Sequence, residues 1–142
     1  MKILILCTAN SCRSQMAAAF LKSFAPELEV YSAVTNTAQE VHPLAIAVMK
    51  EAMIDLSEIK PQQVSTFLDQ DFDYVITTCG EAKENFPIFN GKVRQCLHID
   101  FDDPAKAEGS SKEILQEFRR IRDEIKNEFF LFYKNQIRSK KA

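Results

Sequence analysis

The sequence predicts an α/β fold, a single-domain three-layer sandwich around a four-stranded parallel sheet, and two observations carry that prediction. Short, nearly continuous apolar or β-branched runs recur along the chain, as parallel strands covered on both faces require. Between them apolar residues return at intervals of three and four, the period of helices packed by one face. With 142 residues, the chain suits one domain spanning residues 1–142 that buries a core without covalent staples.

The elements follow in order. "KILIL" at the start and "DYVITT" at 73–78 are the clearest strands, and "EVYSAV" (29–34) and "VRQCLHI" (93–99) are weaker runs of the same kind. Met16, Phe20, Leu21 and Phe24 share one helical face. Leu44, Val48, Met49 and Ala52 share another, opened by Pro43 at a first helical position, where its missing N–H costs nothing. Residues 110 to 137 carry the longest helix, with Ile114, Phe118, Ile121, Ile125, Phe129 and Phe132 as its stripe and a capping box from Ser110 and Glu113. The order is β-α-β-α-β-β-α, and ligands of such a sheet bind beyond the carboxyl ends of its strands. The closing "RSKKA" reads as a frayed, solvated tail.

Composition narrows the function classes. Lys plus Arg number 18 and Asp plus Glu 20, a formal charge of -2, so no general attraction to nucleic acid or anionic membrane is predicted. The apolar run "ILIL" is too short for a signal-peptide core or a membrane span. A cytoplasmic monomer is the expectation. The four cysteines contain no CxxC pair, which argues against a disulfide framework and against zinc. Core packing and thiol chemistry remain.

The chemistry concentrates in "LILCTANSCRSQMA", residues 4–17, where a strand passes into a helix. Cys7 and Arg13 stand in a C-x5-R spacing, which alone is a weak signal. Its context makes it stronger. A loop between a strand end and a helix N-terminus turns successive N–H groups inward, and the helix dipole adds positive potential, so Thr8, Ala9, Asn10, Ser11, Cys12, Arg13 and Ser14 together predict a nest for a tetrahedral oxyanion. Arg13 supplies a bidentate fork. Cys7, on the loop floor, is the nucleophile, its thiolate stabilised by the same groups. Asn10 suits a left-handed backbone position. Ser14 is a candidate helix N-cap and a donor to the Cys7 sulfur.

With these residues in view, the chain resembles the thioredoxin-coupled arsenate reductases, built on the low-molecular-weight protein tyrosine phosphatase fold. The resemblance runs from about residue 3 to residue 130 through "CTANSCRSQMA", "VYSAV", "VHPLAIAVMKEAMIDLS", "VITTCGEA", "FDDPAKAEG" and "RRIRDEI". The phosphatase branch shares the loop and an Asp-Pro segment but usually follows the latter with tyrosines. Here "FDDPAKAEG" follows the reductase pattern, and Cys79 stands where the reductases keep their second redox cysteine.

The resemblance implies a mechanism. Cys7 attacks arsenate held by the loop amides and Arg13, and Asp103, directly before Pro104, protonates the departing oxygen. Cys79 then attacks the Cys7 sulfur, releasing arsenite and leaving a Cys7–Cys79 disulfide. The thiols carry the electrons and no metal or flavin is required. Thioredoxin or another thiol reductant is the implied partner. Three departures from the family accompany this reading. Ala9 replaces the usual glycine, Ala18 stands where some relatives carry a glutamate that helps hold a potassium ion, and Phe86 replaces the third cysteine of the relay.

The remaining candidates are fewer. Cys96, flanked by Leu97 and Ile99, is read as a packed strand residue or a substitute for the absent thiol, and Cys12 as a core cysteine or a reversible protector of Cys7. The segment "GEAKENFPIFNG" reads as a turn mobile enough to bring Cys79 to Cys7. His42 and His98 read as structural. Two alternatives to the reductase stay open: a phosphatase acting on phosphotyrosine or a small phosphoester through a Cys7 phosphocysteine, and a non-catalytic oxyanion-binding or redox-sensing protein.

Overall fold

The apolar runs become four strands: β1 (Lys2–Cys7), β2 (Glu29–Val34), β3 (Phe72–Thr77) and β4 (Val93–His98). In the computed structural model, which describes residues 1–8, 12–35, 41–56 and 62–138, they form one parallel sheet in the order β2-β1-β3-β4. Alternation along β1 sends Ile3 and Ile5 to one face with Tyr74 and Ile76, and Leu4 and Leu6 to the other with Val75. Both faces are covered, which is why these strands read as unbroken apolar runs.

The first face carries three helices, α1 (Arg13–Phe24), α2 (Pro43–Glu51) and, after a third described below, α4 (Ser111–Phe132). Their stripes meet in one cluster: Met16, Phe20 and Leu21 from α1, Ala45, Val48 and Met49 from α2, and Phe118, Ile121, Ile125 and Phe129 from α4. Pro43 opens α2, and the His42 ring caps it by accepting from the Leu44 N–H at 3.1 Å. The capping box of α4 has both halves in place, Ser110 Oγ taking the Glu113 N–H and the Glu113 carboxylate taking the Ser110 N–H. Its last stretch, Tyr133–Ile137, widens into a π turn.

The second face is thinner, covered by a short 3-10 turn at Val64–Phe67 and by the five-residue α3 (Gly80–Glu84). Here the sequence reading needs correction: the segment after Cys79 begins as a helix rather than a turn. The Cys79 sulfur caps it, accepting from the Ala82 N–H at 3.4 Å. The far end of the segment is anchored as well, since the Asn90 N–H donates to Leu68 O at 2.8 Å and a Cβ on Gly91 would lie 2.1 Å from Gln70 O. Between them Phe86 and Phe89 pack their rings 5.6 Å apart against the second face.

Cys96 is the other correction: it is exposed, not packed. Leu97 and Ile99 do pack, against the cluster of the first face. Strand alternation turns Cys96 the other way, beside Val75 on an edge strand where the thinner layer leaves it uncovered. Among the described residues no helix is long and apolar enough to cross a membrane.

Candidate active site

The topology decides where ligands bind. The chain leaves β1 toward β2 on one side and returns as β3 on the other, so the ends of β1 and β3 form the switch point of the sheet. Cys7 is the last residue of β1, and Cys79 lies two residues beyond β3. The two strand ends are tied by Thr78, whose N–H and hydroxyl both donate to Leu6 O, at 3.0 and 2.8 Å. Residues far apart in sequence thereby become neighbours: Cys79 Sγ lies 4.0 Å from Thr8 Oγ1, on the residue that follows Cys7.

Cys7 is fully buried, and its Sγ lies 2.8 Å from Ser14 Oγ, itself fully buried. Ser14 is therefore not the helix cap. Helix α1 starts at Arg13 with Cys12 as the cap, which places the Ser14 hydroxyl inside the first turn, against the Cys7 sulfur. Arg13 is buried and held from behind: Nη1 donates to Phe101 O at 2.7 Å, and Nη2 lies 3.8 Å from Asp103 Oδ2. Sequence reasoning missed the Phe101 carbonyl because backbone acceptors leave no mark in a residue pattern.

Asp103 is turned by Pro104 as anticipated, with extended backbone and Oδ1 accepting from the Ala105 N–H at 2.9 Å. Its side chain is 12% exposed, whereas Asp102 is 79% exposed and paired with Arg120. Asp103, not Asp102, is the carboxylate that faces Arg13. Beside it opens a polar cavity of about 350 Å³ lined by Asp103, Lys106, Ala107, Glu108, Glu113 and Glu117. No aromatic ring lines it.

Cys12 is buried, and its thiol is pushed up to about 12, first by that burial and then by the nearby Cys7 and Asp103. It stays a thiol at neutral pH. His98 is structural: its Nδ1 lies 2.7 Å from the Thr77 hydroxyl and its Nε2 3.6 Å from Asp100. No disulfide joins any of the four cysteines. Ala9, Asn10 and Ser11 of the loop lie outside the described residues, as do residues 139–142 of the tail.

A buried cysteine at a strand end, an arginine six residues on and an aspartate facing that arginine agree with the comparison with known families. Residues 2–142 match the model of the low molecular weight phosphotyrosine protein phosphatases. The chain belongs to this family. Curated relatives of the chain include arsenate reductases. The arsenate reductase of Halalkalibacterium halodurans is 45% identical over 124 residues, covering 87% of this chain and 88% of its own. Solved arsenate reductases share the fold in two states. One in the oxidized state matches with a TM-score of 0.71 at 29% identity, covering 90% of this chain and 92% of its own. Another in the phosphate binding state matches at 0.67 and 28%, covering 92% and 95%.

Proposed function

We propose that this chain reduces arsenate to arsenite through an adduct on Cys7 and a Cys7–Cys79 disulfide, with thioredoxin or another external thiol as electron donor. The observation that carries the reading is the meeting of two strand ends, with Cys79 Sγ 4.0 Å from the hydroxyl of the residue after Cys7. A phosphatase cycle, completed by water, has no use for a thiol there. Relatives solved in oxidized and phosphate binding states support both halves of the chemistry, the redox step and the oxyanion site.

In this mechanism the Cys7 thiolate attacks arsenic, and one arsenate oxygen leaves as water with a proton from Asp103. The Cys79 thiolate then attacks Cys7 Sγ. As the S–S bond forms the S–As bond breaks, its electron pair stays on arsenic, and arsenic(V) leaves as arsenic(III) in arsenite. A dithiol donor returns two electrons to the disulfide. Access for that donor follows from the cap: Cys79 Sγ holds the first turn of α3 through the Ala82 N–H, so drawing the sulfur into a disulfide withdraws the acceptor that closes α3 over it.

The phosphatase reading shares the loop and the acid, since phosphate and arsenate have the same shape and charge. Arsenate-dependent loss of two thiols, abolished in Cys79→Ser and without aryl phosphate turnover, tests the reductase. Sustained phosphate release in Cys79→Ser, with no arsenite from the wild type, would establish the phosphatase instead.

A further inference from the structure

Thr78 is fully buried one residue before Cys79, and its N–H, its hydroxyl and its carbonyl are all engaged. The N–H and the hydroxyl both donate to Leu6 O, at 3.0 and 2.8 Å, and the carbonyl accepts the Phe101 N–H at 3.2 Å. The N–H bond simply continues the parallel ladder in which Leu6 stands abreast of Thr77. The hydroxyl bond is not required by the sheet, which uses one of the two lone pairs of that carbonyl. A valine of the same outline would fill the space and spare the burial of a hydroxyl. What the extra bond accomplishes follows from where it falls. Leu6 O belongs to the peptide that leads into Cys7, and Thr78 leads into Cys79. The hydroxyl therefore fastens the backbone before one redox sulfur to the backbone before the other.

The rest of the neighbourhood is held in the same way. Cys7 is pinned beyond the clamp as well, since its own carbonyl takes the Thr35 N–H at 3.0 Å, and both cysteines belong to the apolar cluster of the second face. We propose that Thr78 is a positioning residue of the redox pair, its hydroxyl holding the strand end still so that Cys79 swings onto Cys7 from a fixed base. With the two strand ends already aligned, closing the disulfide has little backbone freedom left to remove. Without the hydroxyl, that freedom returns in the reduced protein and closure must remove it. Anion binding is unaffected, because the link from Thr78 to Arg13 runs through the backbone of Phe101, its N–H on Thr78 O and its carbonyl on Arg13 Nη1. The proposal rests on the reading of Cys7 and Cys79 as the pair that reduces arsenate.

The test compares full-length wild type, Thr78→Val and Thr78→Ser. Closure is read by equilibrating the reduced chain with glutathione and its disulfide. As the Cys7–Cys79 bond forms, glutathione disulfide takes up the two electrons and two protons and leaves as two thiols, and peptide mapping identifies the pair. In Thr78→Val the closure constant and kcat for arsenate should each fall by about 3- to 10-fold, the range that one such hydrogen bond covers. The Kd for inorganic phosphate should stay within about two-fold of wild type, and the reduced variant should melt within about 4 °C of it. Thr78→Ser keeps the hydroxyl and should restore closure and kcat. An unchanged closure constant in Thr78→Val, a phosphate affinity that falls along with it, or no rescue by Thr78→Ser would each overturn the proposal. Because closure against glutathione needs no arsenate, a loss in Thr78→Val with rescue by Thr78→Ser, in a wild type that forms no arsenite, would uphold the role of Thr78 and refute the reductase.

Discussion

Ser14→Ala tests how the nucleophile is held. The Ser14 hydroxyl lies 2.8 Å from Cys7 Sγ with both residues fully buried, so with Cys7 ionised it donates a charge-assisted hydrogen bond that water does not replace. Such bonds contribute about 1.5–3 kcal/mol. At 1.36 kcal/mol per pKa unit, losing this one raises the Cys7 thiol by about 1–2 units. The thiolate fraction at a pH below both values falls by about 10- to 100-fold, but the more basic thiolate is the better nucleophile. With a Brønsted slope of roughly 0.4–0.5, the net loss in kcat/KM is about 3- to 15-fold. The assay is arsenate reduction at saturating thiol donor from pH 5 to 9. The acidic limb of kcat/KM should move to higher pH by the same 1–2 units, and the rate at high pH should recover. A uniform loss at every pH, with the limb unmoved, would show that Ser14 only supports the fold and would refute the reasoning.

Three further predictions follow from the geometry. Asp103→Asn should lower kcat for arsenate by about 100-fold, whereas Asp102→Asn, at an exposed carboxylate paired with Arg120, should change it by less than about two-fold; the reverse order would misassign the acid. Cys12 keeps its proton in the folded chain until about pH 12 but loses it near 9 when unfolded. Stability should therefore fall as pH rises above 9, by up to about 1.4 kcal/mol per unit, and urea midpoints of Cys12→Ala should fall less steeply over that range. A bulky maleimide should label native reduced protein first at the exposed Cys96 and leave arsenate reduction intact, because Cys7 and Cys12 are fully buried and Cys79 nearly so; first labelling elsewhere, read by peptide mapping, would contradict this.

What the sequence disclosed follows its physics. Strands β1 and β3 were legible because both faces are buried, and α4 because 22 residues give a periodic stripe and a capping box time to declare themselves. Helix α3 was not legible: five residues hold barely more than one turn, and its cap is a cysteine rather than a residue that usually caps. Cys96 was misplaced for a different reason. Leu97 and Ile99 are apolar because they face the helices, but on an edge strand that says nothing about the residue pointing the other way. Within the site, Cys7, Arg13 and Ser14 could be picked out from their spacing, whereas Asp103 before Pro104 was picked out through the family pattern. The approach of Cys79 to Thr8 could not be read from spacing, because it is made by strand order, and only the family pattern carried it.

The central claim is that two electrons pass from Cys7 and Cys79 to arsenic. Peptide mapping under non-reducing conditions, after one equivalent of arsenate and without any thiol donor, tests it most directly. The account predicts one arsenite released per chain and a single disulfide joining Cys7 to Cys79. Arsenite formed with Cys79 still reduced, or a disulfide that pairs Cys7 with Cys12 or Cys96 instead, would contradict it.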